Sequence, residues 1–155
     1  MTFPDRQISQ RPVATNASVS LVSDPMEVRH ALEELLDQLA PLHMADEELG
    51  SVELVVAEAL NNIVEHAYLG RDDGRIELHW VLSGNGLHIR ITDNGVPMPE
   101  GRIPLHPDQS PKDHAALVPE GGFGWFLIGG LAHNIVYRRD RGRNVLSFRL
   151  AVALD

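Results

Sequence analysis

The sequence predicts an α+β sandwich, with helices on one face of a mixed, mostly antiparallel sheet. Three observations predict it. The elements run strand, helix, helix, strand, strand, long aperiodic segment, helix, strand, strand. The helical stretches repeat apolar residues every three or four positions, and a central pair of strands alternates apolar with polar residues around a short turn, as a sheet with one buried side does. No internal repeat or low-complexity stretch interrupts this order.

Residues 1 to 16 are polar, hold two prolines and show no period, so they read as a loose tail ahead of a domain spanning 17 to 155. Ala17 to Val22 reads as a short edge strand. Asp24-Pro25 opens a helix: Asp24 caps it, Pro25 takes the first helical position, and Glu27 is placed to complete a capping box. Val28, Leu32, Leu35, Leu36 and Leu39 form its apolar stripe, and Pro41 ends it. The second helix takes Asp46 as cap, with Glu47 and Glu48 in the first turn near the positive end of its dipole. It buries Leu49, Val52, Val56, Ile63 and Ala67 and runs to about Tyr68, where Gly70, Asp72, Asp73 and Gly74 signal a turn.

Arg75 to Leu82 and Leu87 to Asp93 form an antiparallel hairpin around Ser83-Gly84-Asn85-Gly86. Its buried side carries Ile76, Leu78, Trp80 and Leu82 on one strand and Leu87, Ile89 and Ile91 on the other. Residues 94 to 120 hold six of the ten prolines and little periodicity. A connection of that length is usually functional, and it reads as a lid over about 96 to 120. Gly121-Gly122-Phe123-Gly124 leads into an apolar helix through Leu131, and Asn134 to Arg139 and Asn144 to Val152 close the domain as a hairpin turned at Asp140-Arg141-Gly142.

Composition narrows the function. With 155 residues and 43% apolar content the chain suits one globular domain. It has no run of eighteen apolar residues and no signal-peptide pattern, which points to a cytoplasmic protein away from membranes. The absence of cysteine excludes disulfides, thiolate metal sites and cysteine nucleophiles. A net charge of −9 argues against direct nucleic-acid binding, which needs a basic surface. The cluster Arg138, Arg139, Arg141, Arg143 reads as a solvated hairpin tip, and Lys112, the single lysine, as an exposed lid residue. His106 and His114 lack the surrounding ligands of a metal site.

Three segments carry chemistry. Glu58, Asn62 and His66 are spaced i, i+4, i+8 and project from nearly the same side of the second helix. An amide oxygen is a hard ligand for Mg²⁺, and a carboxylate one turn away can orient or deprotonate a nucleophile beside a γ-phosphate; a plain solvated polar face has the same spacing. Asp93-Asn94-Gly95 ends a strand, where a carboxylate can accept from an exocyclic amine such as adenine's, or simply make a turn. Gly121, Gly122 and Gly124, with Phe123 between them, expose backbone N–H groups at a helix start to an anion such as phosphate, or form a hinge.

In this order the three segments resemble the histidine-kinase-like ATPase superfamily, over roughly residues 20 to 150. Glu58 to His66 looks like its N-box, Asp93 to Gly95 its first glycine box and Gly121 to Gly124 its second. The compact length, His66-Ala67-Tyr68 and the run Gly124-Trp125-Phe126-Leu127-Ile128 look most like the anti-sigma-factor serine kinases. The resemblance implies ATP and Mg²⁺ as cofactors, Glu58 as catalytic base for a serine hydroxyl, Asn62 as the Mg²⁺ ligand and Asp93 as the adenine contact. Gly95, Gly121, Gly122, Phe123 and Gly124 would shape the phosphate pocket, and His66 would be a pocket wall or a core histidine. It also implies a partner-switching circuit. In that circuit a sigma factor or other regulatory protein is held, an anti-sigma-factor antagonist is phosphorylated on serine, and the kinase can pair as a homodimer. The alternative is a module of the same fold that sequesters its partner without catalysis. No dimerisation helix with a phosphoacceptor histidine precedes the domain, which sets it apart from sensor histidine kinases. Two departures stand out: Pro97 occupies the place of a second glycine after Gly95, and Gly142 is followed by Arg143 and Asn144 where a Gly-Thr step is usual.

Overall fold

Five short, alternating stretches build one sheet, and three helices cover one side of it. The computed structural model describes residues 15–104 and 122–152. Most of the expected tail, the lid beyond residue 104, His106, Lys112, His114 and Gly121 therefore lie outside the described residues.

In chain order the elements are β1 (Thr15–Val22), α1 (Pro25–Leu39), α2 (Asp46–Asn62) with a π-helical turn over Ile63–Ala67, β2 (Arg75–Ser83), β3 (Gly86–Asp93), α3 (Gly122–Leu131), β4 (His133–Asp140) and β5 (Arg143–Leu150). Short 3₁₀ turns follow α1 at Ala40–Leu42 and β3 at Pro99–Gly101. Among the described residues no helix is long and apolar enough to cross a membrane.

The sheet order is β1-β2-β3-β5-β4, and each neighbouring pair is antiparallel. The sequence leaves room for a mixed sheet, and the reason none forms is topological. The return through α3 brings β4 back parallel to β3, but β5 folds in between and pairs with both. The register lines up Leu21, Ile76, Asp93, Asn144 and Arg139 in one row across the sheet, and Val19, Leu78, Ile91, Leu146 and Tyr137 in the next. Period-two alternation puts both rows on the same face.

That face is the core. Leu78, Trp80, Ile89, Ile91, Leu146 and Phe148 pack against Leu35 and Leu39 of α1, Val52, Val56 and Leu60 of α2, and Ile128 of α3. Each such side chain contributes about 1.5–3 kcal/mol by leaving water. The layer turns polar only at its end row, where Asp93 and Asn144 are as buried as the leucines.

The helix starts differ from expectation. Asp24 is the N-cap of α1 and Pro25 its first residue, but the Asp24 side chain makes no cap bond. Its N–H donates instead to Val22 O (2.8 Å), so no capping box with Glu27 forms. Ala45 rather than Asp46 is the N-cap of α2, and Asp46, Glu47 and Glu48 all sit in the first turn. There their charge still faces the positive end of the helix dipole.

The end of α2 is the joint that positions everything downstream. Tyr68 N–H donates to Ile63 O (3.0 Å), five residues back, which widens the last turn. The buried Tyr68 hydroxyl donates to Arg75 O (2.5 Å) and accepts from Asn94 N–H (2.7 Å), so one side chain ties the helix end to the start of β2 and the end of β3. Val96 N–H donates to Ala67 O (2.8 Å), satisfying a carbonyl that a helix terminus otherwise leaves open.

Candidate functional site

A narrow cleft opens between the end of α2, the start of α3 and the polar end row of the sheet. It encloses about 450 Å³, counting its open mouth, and its walls include Asn62, His66, Asp93, Trp125, Tyr137 and Asn144. Val96, Pro97 and Met98, the chain leaving β3, close one side.

Asn62 comes from the last α-helical turn of α2 and is buried, with 6% of its surface exposed. Its Nδ2 has no hydrogen-bond partner among the described residues. An unpaired buried amide costs about 1–3 kcal/mol, so it marks a place where a ligand would be held. Turned about its last bond the same amide presents an oxygen, the hard donor that Mg²⁺ takes.

Glu58, half-buried, stands one turn earlier where α2 packs on α3. Gly124 makes room for it. A methyl group at position 124 would collide with Glu58 Oε1 and come within 3.4 Å of Glu58 Cδ and 3.6 Å of Asn62 Nδ2. Gly122 and Phe123 are the first two residues of α3.

His66 projects from the widened turn, lines the cleft and is 59% exposed, which excludes a core histidine. Gly95 is buried for a different close approach: a Cβ there would strike the Ala67 backbone oxygen. The crossing of β3's exit over the end of α2 therefore requires glycine. Pro97, in the place of a second glycine, forms part of the cleft wall.

Asp93 ends β3 with 4% of its surface exposed. Its Oδ1 accepts from Gly95 N–H (2.8 Å) and from Asn144 Nδ2 (2.8 Å). Burial pushes its carboxyl above the usual range, and these hydrogen bonds and the nearby Arg139 guanidinium offset only part of that rise. Burial likewise raises the Tyr68 phenol.

Three further side chains complete the site, two of them, Tyr137 and Arg139, outside the three motif segments. Tyr137 OH donates to Asn144 Oδ1 (2.5 Å) and accepts from Met98 N–H (3.0 Å). Arg139 Nη1 donates to Gly95 O (2.7 Å) and to Asn144 Oδ1 (3.0 Å). Arg139, exposed as expected for its cluster, also reaches back onto the end row, which the alternation of β4 allows because Tyr137 and Arg139 share the face of Asn144. Trp125 directly follows Gly124 and is buried in the wall.

The donor set suits a nucleotide with a hard cation. Among the described residues no three His, Cys, Asp or Glu side chains gather as a metal site. A cation here would take the Asn62 amide oxygen and complete its shell from phosphate and water, the habit of Mg²⁺. The buried carboxylate of Asp93 in the same cleft offers a single acceptor edge.

Comparison with known proteins agrees with this fold. Residues 21–150 match the family described as histidine kinase-like ATPase domain. The serine-protein kinase RsbW of Listeria monocytogenes (strain HCC23) is 30% identical over 102 residues, 64% of this chain and 64% of that protein. The serine-protein kinase RsbW of Bacillus cereus (strain AH820) is 32% identical over 106 residues, 66% of this chain and 64% of that protein. The chain thus spans just under two thirds of the length of these relatives. A crystal structure of the RsbU and RsbW domains of a Mycobacterium tuberculosis protein superposes with a TM-score of 0.61 at 15% identity, covering 89% of this chain and 32% of that one. At that identity the likeness speaks for the fold alone.

Proposed function

Because the chain belongs to the histidine kinase-like ATPase domain family, we propose that it is an ATP-dependent protein serine kinase of the anti-sigma type. In this reading it holds a sigma factor or comparable regulator and phosphorylates an antagonist protein on serine. The observation that carries the reading is the meeting, in one cleft, of an unpartnered buried amide at Asn62 and a buried carboxylate at Asp93, with Glu58 one turn from the amide. Similarity to proteins named serine-protein kinase RsbW supports the serine as acceptor.

When bound, ATP with Mg²⁺ would supply the γ-phosphoryl group to the serine oxygen, leaving ADP. The rest is the work of this chain's residues. Asp93 accepts from the exocyclic amine of the base, and its fixed Oδ1 bonds hold the plane of the carboxylate. Asn62 holds the cation that shields the phosphates. Glu58 takes or steers the serine proton, and Gly124 keeps the space in which its carboxylate can sit. Trp125 and Pro97 keep the cleft narrow and limit water, which strengthens each charge interaction inside it.

The test is capture of the partner from the native cell, followed by incubation with γ-labelled ATP and Mg²⁺. Label on a serine of the captured protein is the expected result. Tight capture without label in any partner would turn the reading to a sequestering module.

A further inference from the structure

Asn144 has no hydrogen-bonding capacity left for a ligand, although it lines the cleft. Its Nδ2 donates to Asp93 Oδ1 (2.8 Å), to Val96 O (3.0 Å) and more weakly to Gly95 O (3.4 Å). Its Oδ1 accepts from Tyr137 OH (2.5 Å) and Arg139 Nη1 (3.0 Å). The amide's orientation is dictated: turned over, its oxygen would face a carboxylate and two carbonyls, and its NH₂ a guanidinium. Asp93, by contrast, keeps one oxygen in reserve. Oδ1 is taken by Asn144 and Gly95, and among the described residues nothing donates to Oδ2.

From this geometry we infer that Asn144, itself held by Tyr137 and Arg139, is the positioning residue that keeps Asp93 an ionised acceptor for the nucleobase and so sets the preference for a 6-amino over a 6-keto purine. The inference rests on the nucleotide-binding reading above and names what decides its selectivity.

The chemistry is a count of donors. A carboxylate only accepts, whereas a carboxylic acid also donates. At the 6-position facing Oδ2, an amino group donates and matches the carboxylate, whereas a keto oxygen only accepts and matches the acid. Burial favours the neutral acid at Asp93, and the bonds from Asn144 and Gly95, with the Arg139 charge, oppose it. Removing the Asn144 donor therefore moves protonation and base choice together. The other groups facing Asp93 are Tyr68 at the end of α2, His66 on the widened turn, and Tyr137 and Arg139 on β4. All four are retained in both variants below.

Asn144→Thr and Asn144→Val test this in the full chain. The two side chains have nearly the same shape and both suit a strand, but only Thr keeps a donor for Asp93 Oδ1. Titration of the Asp93 carboxyl carbon by NMR should place the Val midpoint above the Thr midpoint by about one pH unit. Calorimetry with ATP and GTP should show the ATP preference reduced about tenfold in Val relative to Thr, and more so toward acid pH. Coincident midpoints would overturn the inference whether or not a nucleotide binds. Separate midpoints with equal ATP-to-GTP ratios would overturn the base preference alone. A parent that binds neither nucleotide would sink the nucleotide reading, while the midpoints would still decide Asn144's hold on Asp93.

Discussion

Gly124 and Glu58 compete for one volume: the carboxylate of Glu58 lies where the β-carbon of any other residue at 124 would be. The glycine at the start of α3 is thus explained by a side chain on α2. The obstructing atom is the end of a flexible side chain, so a larger residue would displace the carboxylate rather than unfold the domain.

Gly124→Ala should accordingly separate stability from chemistry. Alanine in a helix is favoured over glycine by up to about 1 kcal/mol, so the melting temperature should hold or rise. Phosphoryl transfer should fall about 10²-fold, the scale of a misplaced catalytic group. Gly50→Ala, at an exposed α2 position with nothing within 4 Å, is the control: similar helix gain, unchanged transfer. Equal transfer in the parent and Gly124→Ala would mean that the Glu58 position is unimportant.

Gly95→Ala should behave oppositely. Its Cβ would meet the Ala67 backbone, which is pinned by the bond from Val96 N–H (2.8 Å) and cannot yield as a side-chain tip can. Overpacking of this kind costs about 1–3 kcal/mol, a loss of several degrees in melting temperature for a chain of this size. A melting temperature equal to the parent's would show that the crossing has slack.

Asp93→Asn should trade function for stability. The Asp93 carboxyl is raised by burial, so its contribution to stability is fully present below the unfolded-state value of about 3.9 and is lost as pH climbs through the folded-state value. Asparagine keeps an oxygen for Gly95 N–H and Asn144 Nδ2 without that loss. Thermal melts should therefore converge toward pH 4 and separate at neutral pH with the variant the more stable, while ATP affinity collapses. A variant less stable than the parent at neutral pH would mean that the charge is held favourably, by the Asn144 bond first and then by Gly95 N–H and Arg139.

Much of this was legible in the chain because local physics dominated. The alternation in Ile76 to Leu82 and Leu87 to Ile91 gave both strands and their buried side, and the Asp140-Arg141-Gly142 turn gave the closing hairpin. The i, i+4, i+8 spacing brought Asn62 and His66 to one cleft with Asp93, although the Glu58 carboxylate ended in the α2–α3 crevice beside it. What stayed hidden was non-local. Insertion of β5 between β3 and β4 is a pairing choice that no window of sequence contains. The widening of α2 at Ile63–Ala67 depends on Tyr68 being held by Arg75 and Asn94. Tyr137 and Arg139 carried a readable signal, their shared face on β4, but only the register with Asn144 gives it meaning.

The most direct measurement compares Glu58→Gln with the parent, using the captured partner, γ-labelled ATP in single turnover, and calorimetry in parallel. Glutamine keeps the shape and most hydrogen bonding but not the basic carboxylate. ATP and partner affinities should stay close to the parent's, with transfer reduced by about 10²–10⁴-fold. Transfer at the parental rate would contradict this role for Glu58 and place the base elsewhere.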